Sequence, residues 1–318
     1  MTDTVIERFV ALDGAFRERA RRGERMYARF SALSCLSSEI APETLADRAV
    51  AIRDELDAGL GAWKAPSKAM RLVFAAALAS AGRSAAHFFD TRGALVRRRK
   101  ERGGRGLNHG GSCAALALVS AGGLPHHVDA FYDILETIAA PWWRRDSARE
   151  EMVAAIFAAM GEMPDEALER LNEARQALRT AGVPKSHAEA AACEIAFFDF
   201  NPDAIAPAWT TLNTAMRGRS ALRSGIGKTG LAVLAAHGNG QATADALVDS
   251  FEAVRALRPK VSSAVAAKLA MRLAQAQAQT GQTAPIAAAR DLAAILAAQA
   301  AMIAAVTAST ATVAVAAT

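Results

Sequence analysis

Ala-rich segments that end at a glycine recur along this chain about every 39 residues. The positions are Gly82, Gly122, Gly161 and Gly238, with Asp199 at the fourth position of the series. A period of this length is typical of stacked supersecondary units, each of which buries its apolar face against the next. The repeat therefore predicts an array of similar units.

The units are predicted to be helical hairpins. Leu, Ala, Arg and Glu dominate the sequence, whereas β-branched and aromatic residues are sparse, which favours helix over strand. Each unit has a short Ala-rich helix, a turn at Gly or Pro, and a longer amphipathic helix. The short helices are predicted at 71–81, 112–121, 148–160, 187–198, 229–237 and 264–280, and the longer ones at 85–100, 125–139, 164–181, 202–217, 242–258 and 285–305.

We predict an all-α fold in which six stacked hairpins form an α-solenoid-like repeat array with an N-terminal helical cap. The cap occupies residues 1–66 and contains helices at 3–33 and 43–62, because Pro42 breaks the apolar pattern. Residues 67–291 form the hairpin repeat domain. Residues 292–318, which contain no charged side chain, form an Ala/Thr-rich C-terminal helix and tail.

Local signals support the hairpins. A proline at the first position of a longer helix loses no hydrogen bond, and the side chain seven residues later is predicted to pack between neighbouring units. These pairs are Pro125 with Tyr132, Pro164 with Leu171, and Pro202 with Trp209. In the next unit, Val248 occupies the position of Trp209. Ser186 and Glu189 have the spacing of a capping box at the start of a short helix.

Basic residues concentrate in two candidate binding segments. The chain carries 37 basic and 32 acidic side chains, for a net charge of +5, which is a modest excess. The candidate residues are Arg97, Arg98, Arg99, Lys100, Arg102 and Arg105 in the first segment, and Trp142, Trp143, Arg144 and Arg145 in the second. They are consistent with binding of a polyanion, but the preferred interpretation is that the cations complement helix C-termini and that the Trp pair packs at a helix junction.

Other motifs do not indicate catalysis, a metal or a cofactor. Gly225, Gly227 and Gly230 spell G-x-G-x-x-G, but no strand precedes them, so an interhelix turn is the simpler interpretation. His109 and Cys113 have metal-compatible helical spacing but lack further ligands nearby. We therefore expect no catalytic residues, no metal and no cofactor, although residues scattered between hairpins can still form an enzyme site.

The sequence predicts a cytoplasmic location. Three cysteines at distant positions do not form a disulfide framework, and the charged N-terminal segment is unlike a signal peptide. The uncharged C-terminal segment is long enough to cross a bilayer, but its Ala and Thr residues contribute little transfer free energy. A terminal helix that continues into a mobile or β-prone tail is the preferred interpretation over a membrane anchor.

Four features together resemble an uncharacterised bacterial family of all-helical proteins, a domain of unknown function. These are the short N-terminal helical module, the FAAALASAG opening, the Gly-to-Pro hairpin rhythm and the Ala-rich uncharged end. The resemblance implies an all-α fold and a cytoplasmic location, and it implies no catalytic residue.

Three functions are compatible with the sequence. The first is a non-enzymatic helical repeat scaffold that binds a protein or peptide partner along its extended surface. The second is binding of nucleic acid or another polyanion through the Arg-rich edge. The third is an enzyme with a site between hairpins.

Overall fold

The computed structural model describes residues 4–61, 66–103, 106–139 and 147–278, and all regular structure within them is helical. The helices are α1 (Val5–Arg19), α2 (Ala28–Leu33), α3 (Pro42–Gly59), α4 (Lys68–Ser80), α5 (Ala85–Arg102), α6 (Ser112–Ser120), α7 (Val128–Ile138), α8 (Ser147–Met160), α9 (Pro164–Thr180), α10 (Lys185–Ile195), α11 (Pro202–Ala215), α12 (Ser220–Ala235), α13 (Gly240–Ala256) and α14 (Ser263–Ala278). Two 3₁₀ turns, Asn108–Gly111 and Pro125–His127, precede α6 and α7. The predicted all-α array of hairpins is confirmed.

The array closes on itself. The even-numbered helices form an inner layer in which each helix contacts the next, and α14 returns to contact α2. The odd-numbered helices form an outer layer, and α1 also contacts α14. The Arg29 guanidinium donates a hydrogen bond to the Pro259 carbonyl (2.8 Å), which joins the first hairpin to the segment before α14. The helices predicted as a separate cap therefore pack into the same ring as the repeats.

The inner and outer helices differ in how much of their surface is buried. Every side chain of α4 from Met70 to Ala79 is buried, as is every side chain of α6. Helices that are apolar on all sides are stable only when they are surrounded by protein, and small Ala side chains allow close helix approach. Outer helices such as α9 instead bury one stripe, which includes Leu171 and Leu178. The Ala-rich helices are therefore the inner wall of the ring.

The repeated glycine ends an inner helix. At Gly82 the backbone is left-handed (φ +65°), and the Arg83 amide donates to the Leu78 carbonyl (2.8 Å) while the Gly82 amide donates to the Ala79 carbonyl (3.1 Å). This pair of bonds is a Schellman motif, which favours glycine because a Cβ atom is disfavoured at positive φ. The same bonds recur after α6 and α8. The repeat in the sequence thus marks one turn of the chain from the inner to the outer layer.

The predicted packing residues lie where the spacing placed them. Tyr132 and Leu171 are buried, and Trp209 and Val248 are half-buried against the core. Pro164 and Pro202 are the first residues of α9 and α11, and Pro125 begins the 3₁₀ turn before α7.

Three local predictions differ from the structure. The helix predicted at 3–33 is split into α1 and α2, because the buried Glu24 carboxylate accepts hydrogen bonds from the Arg21 amide (2.9 Å) and from Arg53 (2.8 Å) and so fixes a turn. Helix α10 begins at Lys185 after Pro184 with no side-chain cap, so the predicted Ser186–Glu189 capping box does not form. Helix α12 contains a first helical segment, from Ser220, that was not predicted; the backbone is non-helical at Gly227, and the segment after this kink corresponds to the helix predicted at 229–237.

The glycine motif lies at the kink of α12. Gly227 has a left-handed backbone (φ +71°) and bends the helix, whereas a Cβ atom added at Gly225 would lie 2.4 Å from the Cβ atom of Ala267 in α14. A Cβ atom added at Gly230 would lie 2.6 Å from the Met271 sulfur of α14. The motif therefore serves a close helix contact and a kink that joins two helical segments, in agreement with the predicted interhelix turn.

No single helix of the described ranges is long and apolar enough to cross a membrane; α4 and α5 meet the length and composition criteria only as a pair, and they are bent by 104° at their junction. The predicted helix at 285–305 and the 292–318 tail lie outside the described residues.

Candidate functional site

The predicted basic segment occupies the last turns of α5. Arg97 and Lys100 are exposed, and Arg98 and Arg102 face α7. Arg98 is hydrogen-bonded to Asp129 and to Glu101 (3.1 Å). Arg102 is hydrogen-bonded to Asp133 and to Glu136 (3.3 Å). We call Arg98, Arg102, Asp129, Asp133 and Glu136 the α5–α7 edge.

Tyr132 lies beneath this edge. The guanidinium carbon of Arg102 lies 5.5 Å from the Tyr132 ring centroid, and that of Arg99 lies 5.9 Å from it. The Tyr132 hydroxyl donates to the Leu95 carbonyl (2.7 Å), and burial raises the pKa of Tyr132 to about 12. Arg98, Arg99 and Arg102 of the predicted site thus contact neighbouring side chains, and carboxylates of α5 and α7 pair with Arg98 and Arg102.

The loop after α5 is anchored at one point. The Glu151 carboxylate of α8 is buried and accepts hydrogen bonds from the Asn108 amide (2.9 Å) and side chain (3.0 Å). Burial raises the pKa of Glu151, and the two bonds from Asn108 partly oppose this rise. The anchor fixes the end of the loop next to His109, a non-glycine residue with positive φ (48°).

The remaining predicted site residues, Arg105, Trp142, Trp143, Arg144 and Arg145, lie outside the described residues. The His109–Cys113 pair gains no third ligand: across 4–61, 66–103, 106–139 and 147–278, no group of three His, Cys, Asp or Glu side chains is placed to hold a metal ion.

A second candidate site, which the sequence analysis did not predict, is a cleft of about 490 Å³ between α9 and the connection from α10 to α11. One wall is a face of α9 that includes Arg170, Glu173 and Gln176 and ends at Thr180. These residues are three or four positions apart, so they share one side of the helix. The other wall comes from residues 196–203. We call this the α9–α11 cleft.

The cleft lies where the glycine repeat is interrupted. Asp199 replaces the glycine, and the chain from Ala196 to Asn201 makes a longer connection than the tight turn at 81–84. Two side chains of this connection fix its position: Phe197 packs against Phe157 (ring centroids 4.9 Å apart), and Phe198 stacks on His237 (4.9 Å, 10° between planes). The cleft therefore lies between α9 and a connection whose position is fixed by aromatic contacts with the core.

The wall behind Phe198 carries no charge at neutral pH. Burial lowers the pKa of His237 to about 4, and its Nε2 atom has no hydrogen-bond partner among the described residues. The neutral imidazole stacks on Phe198 and so holds this ring in place at the wall of the cleft.

Carboxylates dominate the charged lining. Glu173, Asp199 and Asp203 line the cleft together with a single cation, Arg170. Arg170 is hydrogen-bonded to Glu162 (2.8 Å), which lies outside the lining, and its other nitrogen is 3.9 Å from Asp199. Glu173 and Asp203 are exposed and make no ion pair within the described part of the chain. The cleft combines aromatic walls with uncompensated negative charge.

The sequence contained one signal of this site. Asp199 departs from the glycine series, and the surrounding FFDF segment is rich in aromatic residues for a turn. Comparison with protein-family models, with curated proteins and with solved structures gave no match to this chain.

Proposed function

We propose that this chain is a non-enzymatic helical scaffold that binds a protein or peptide partner, and that a segment of the partner enters the α9–α11 cleft. The observation that carries the proposal is the position of the cleft. It lies where the repeat changes, and its aromatic and polar side chains come from two elements that are fixed by the core.

The size of the cleft supports this function. Sites for small ligands commonly have volumes of about 300 to 1,000 Å³, and a cleft of about 490 Å³ can receive one or two side chains of a peptide. The cleft is also open to solvent along α9, because Glu173, Gln176 and Thr180 are exposed. A chain segment can therefore enter it without opening the ring.

The alternative, binding of nucleic acid or another polyanion through the Arg-rich edge, has less support. A polyanion site needs basic side chains that can exchange counterions for phosphates. Arg98 and Arg102 instead bind carboxylates of α5 and α7, which places negative charge on the same surface. Such binding would depend on Arg97 and Lys100, the exposed cations of α5. The test is a gel shift of nucleic acid at low salt. A shift that is lost in the double variant Arg97→Ala, Lys100→Ala would support this alternative.

The experiment that tests the scaffold function fills the cleft. Thr180 lies in the lining and is exposed, so Thr180→Trp places an indole in the cleft with little effect on the core. Glu169→Trp adds the same side chain to an exposed position of α9 outside the lining. We expect affinity purification of the tagged chain from cells that make it to recover a defined protein with the unmodified chain and with Glu169→Trp, but not with Thr180→Trp.

Recovery of the same protein with all three chains would place its binding elsewhere on the ring. Recovery of nucleic acid or lipid alone would contradict the scaffold function.

A further inference from the structure

We infer that the α9–α11 cleft binds an arginine side chain of the partner. This inference rests on the proposed function, because it concerns the same cleft, and it specifies the chemistry of the group that enters.

The charge of the lining selects a cation. Glu173, Asp199 and Asp203 contribute three carboxylates, and Arg170 contributes one guanidinium, which is hydrogen-bonded to Glu162 outside the lining and lies 3.9 Å from Asp199. Glu173 and Asp203 form no ion pair within the described ranges. The carboxylates lie on both walls, so a cation that enters between them meets negative charge on either side. An anionic side chain would add to it.

The walls favour a flat cation with an apolar stem. Phe198 and Phe200 both line the cleft; Phe198 is buried and stacks on His237, whereas Phe200 is half-buried and is the more accessible ring. Guanidinium groups stack on aromatic rings and are more weakly hydrated than ammonium groups, so an arginine loses less hydration on entry than a lysine. The Gln176 amide and the Thr180 hydroxyl add neutral hydrogen-bond acceptors for a group that carries five N–H donors.

Two features of α9 and α11 provide a matched control. Asp203 follows Pro202 in the first turn of α11, and Asp165 follows Pro164 in the same position of α9. Both aspartates are exposed, but only Asp203 lines the cleft. Glu173 in the lining and Glu169 outside it form a second pair on α9, so one double substitution changes the cleft and the other makes the same chemical change outside it.

The experiment titrates the full chain with N-acetyl-arginine methylamide and follows backbone amide resonances by NMR. We expect shifts that concentrate at residues 173–180 and 196–203, with dissociation in the millimolar range. N-acetyl-citrulline methylamide has the same shape without the charge, and we expect it to bind about tenfold more weakly, as is typical when a charged hydrogen-bond partner is lost.

Glu173→Gln with Asp203→Asn should weaken binding of the arginine derivative at least about fivefold, whereas Glu169→Gln with Asp165→Asn should leave it within about twofold. Equal binding of the arginine and citrulline derivatives, or shifts that map away from the cleft, would overturn the inference. Spermidine provides a further comparison, because tighter binding of spermidine than of the arginine derivative would identify a free polyamine as the occupant in place of a peptide side chain.

The outcomes separate this inference from the proposed function. If Thr180→Trp removes the partner but the charge substitutions do not affect its binding, the scaffold function stands and the arginine assignment is wrong. If the arginine derivative binds in the cleft but no partner is retained, the assignment of the cleft stands and the scaffold function fails.

Discussion

The α5–α7 edge and the α9–α11 cleft are equivalent places in the ring, since each is formed by an outer helix and its successor in the outer layer. At the edge, Arg98 and Arg102 form ion pairs with three carboxylates of α7. At the cleft, Glu173 of α9 and Asp203 of α11 form no ion pair within the described ranges. The comparison teaches that the density of charge along a sequence does not locate a binding surface. The charges that face each other decide this: α7 presents carboxylates to the arginines of α5, whereas the residues that face Glu173 across the cleft include Asp199 and Asp203.

The largest expected effect concerns the core beneath the edge. Tyr132→Ala removes a buried ring and its hydrogen bond to the Leu95 carbonyl, so we expect the free energy of unfolding to fall by about 3 to 5 kcal/mol. Tyr132→Phe keeps the ring, and we expect it to cost about 1 kcal/mol. Urea unfolding monitored by circular dichroism measures both. A loss below about 1 kcal/mol for Tyr132→Ala would show that the edge is not a structural contact.

The next effect concerns the aromatic wall of the cleft and depends on pH. The pKa of His237 is about 4 in the folded protein, below the ordinary value near 6.5. The folded state therefore binds this proton less readily than the unfolded chain. The stability that neutral His237 provides is fully present above pH 6.5 and is lost as the pH falls toward 4.

His237→Phe isolates this contribution, because it retains a ring against Phe198 and removes the titrating group. Between pH 7 and pH 4.5, we expect the native protein to lose about 2 to 3 kcal/mol of unfolding free energy more than the variant does. Asp13 and Glu151, whose pKa values are raised by burial, titrate in both proteins and cancel in this comparison. Identical pH profiles for the two chains would refute the neutral state of His237.

The smallest effects compare the two surfaces directly. Arg102→Ala removes ion pairs with Asp133 and Glu136 and the contact with Tyr132, and we expect a loss of about 1 kcal/mol that becomes smaller in 1 M salt. Glu173→Gln removes an exposed charge with no ion-pair partner among the described residues, so we expect a change within about 0.5 kcal/mol. Chemical denaturation at low and high salt tests both. A larger loss for Glu173→Gln than for Arg102→Ala would reverse the assignment of structural and accessible charges.

The two candidate sites could be predicted only in part, because the sequence shows the cations of α5 but not the side chains that lie next to them, and it does not show the cleft. The Arg97–Arg102 run is evident in the sequence, but its partners Asp129, Asp133 and Glu136 belong to another helix, and only the side-by-side packing of α5 and α7 brings them together. The cleft residues of α9 are ordinary polar side chains, and nothing near them in the sequence indicates that residues 196–203 face them. Asp199 was visible as an exception in the series, but its consequence depends on where Phe197 and Phe198 are buried.

The sequence by itself determined the helices and the turns between layers, because these depend on local physics: helix propensity, apolar periodicity, proline at first positions, and glycine at left-handed C-caps such as Gly82. It did not determine that the array closes, because closure depends on contacts between distant parts of the chain, such as the Arg29 hydrogen bond to the Pro259 carbonyl. Nor did it determine which charges remain accessible. That depends on distances between helices, which tertiary packing sets.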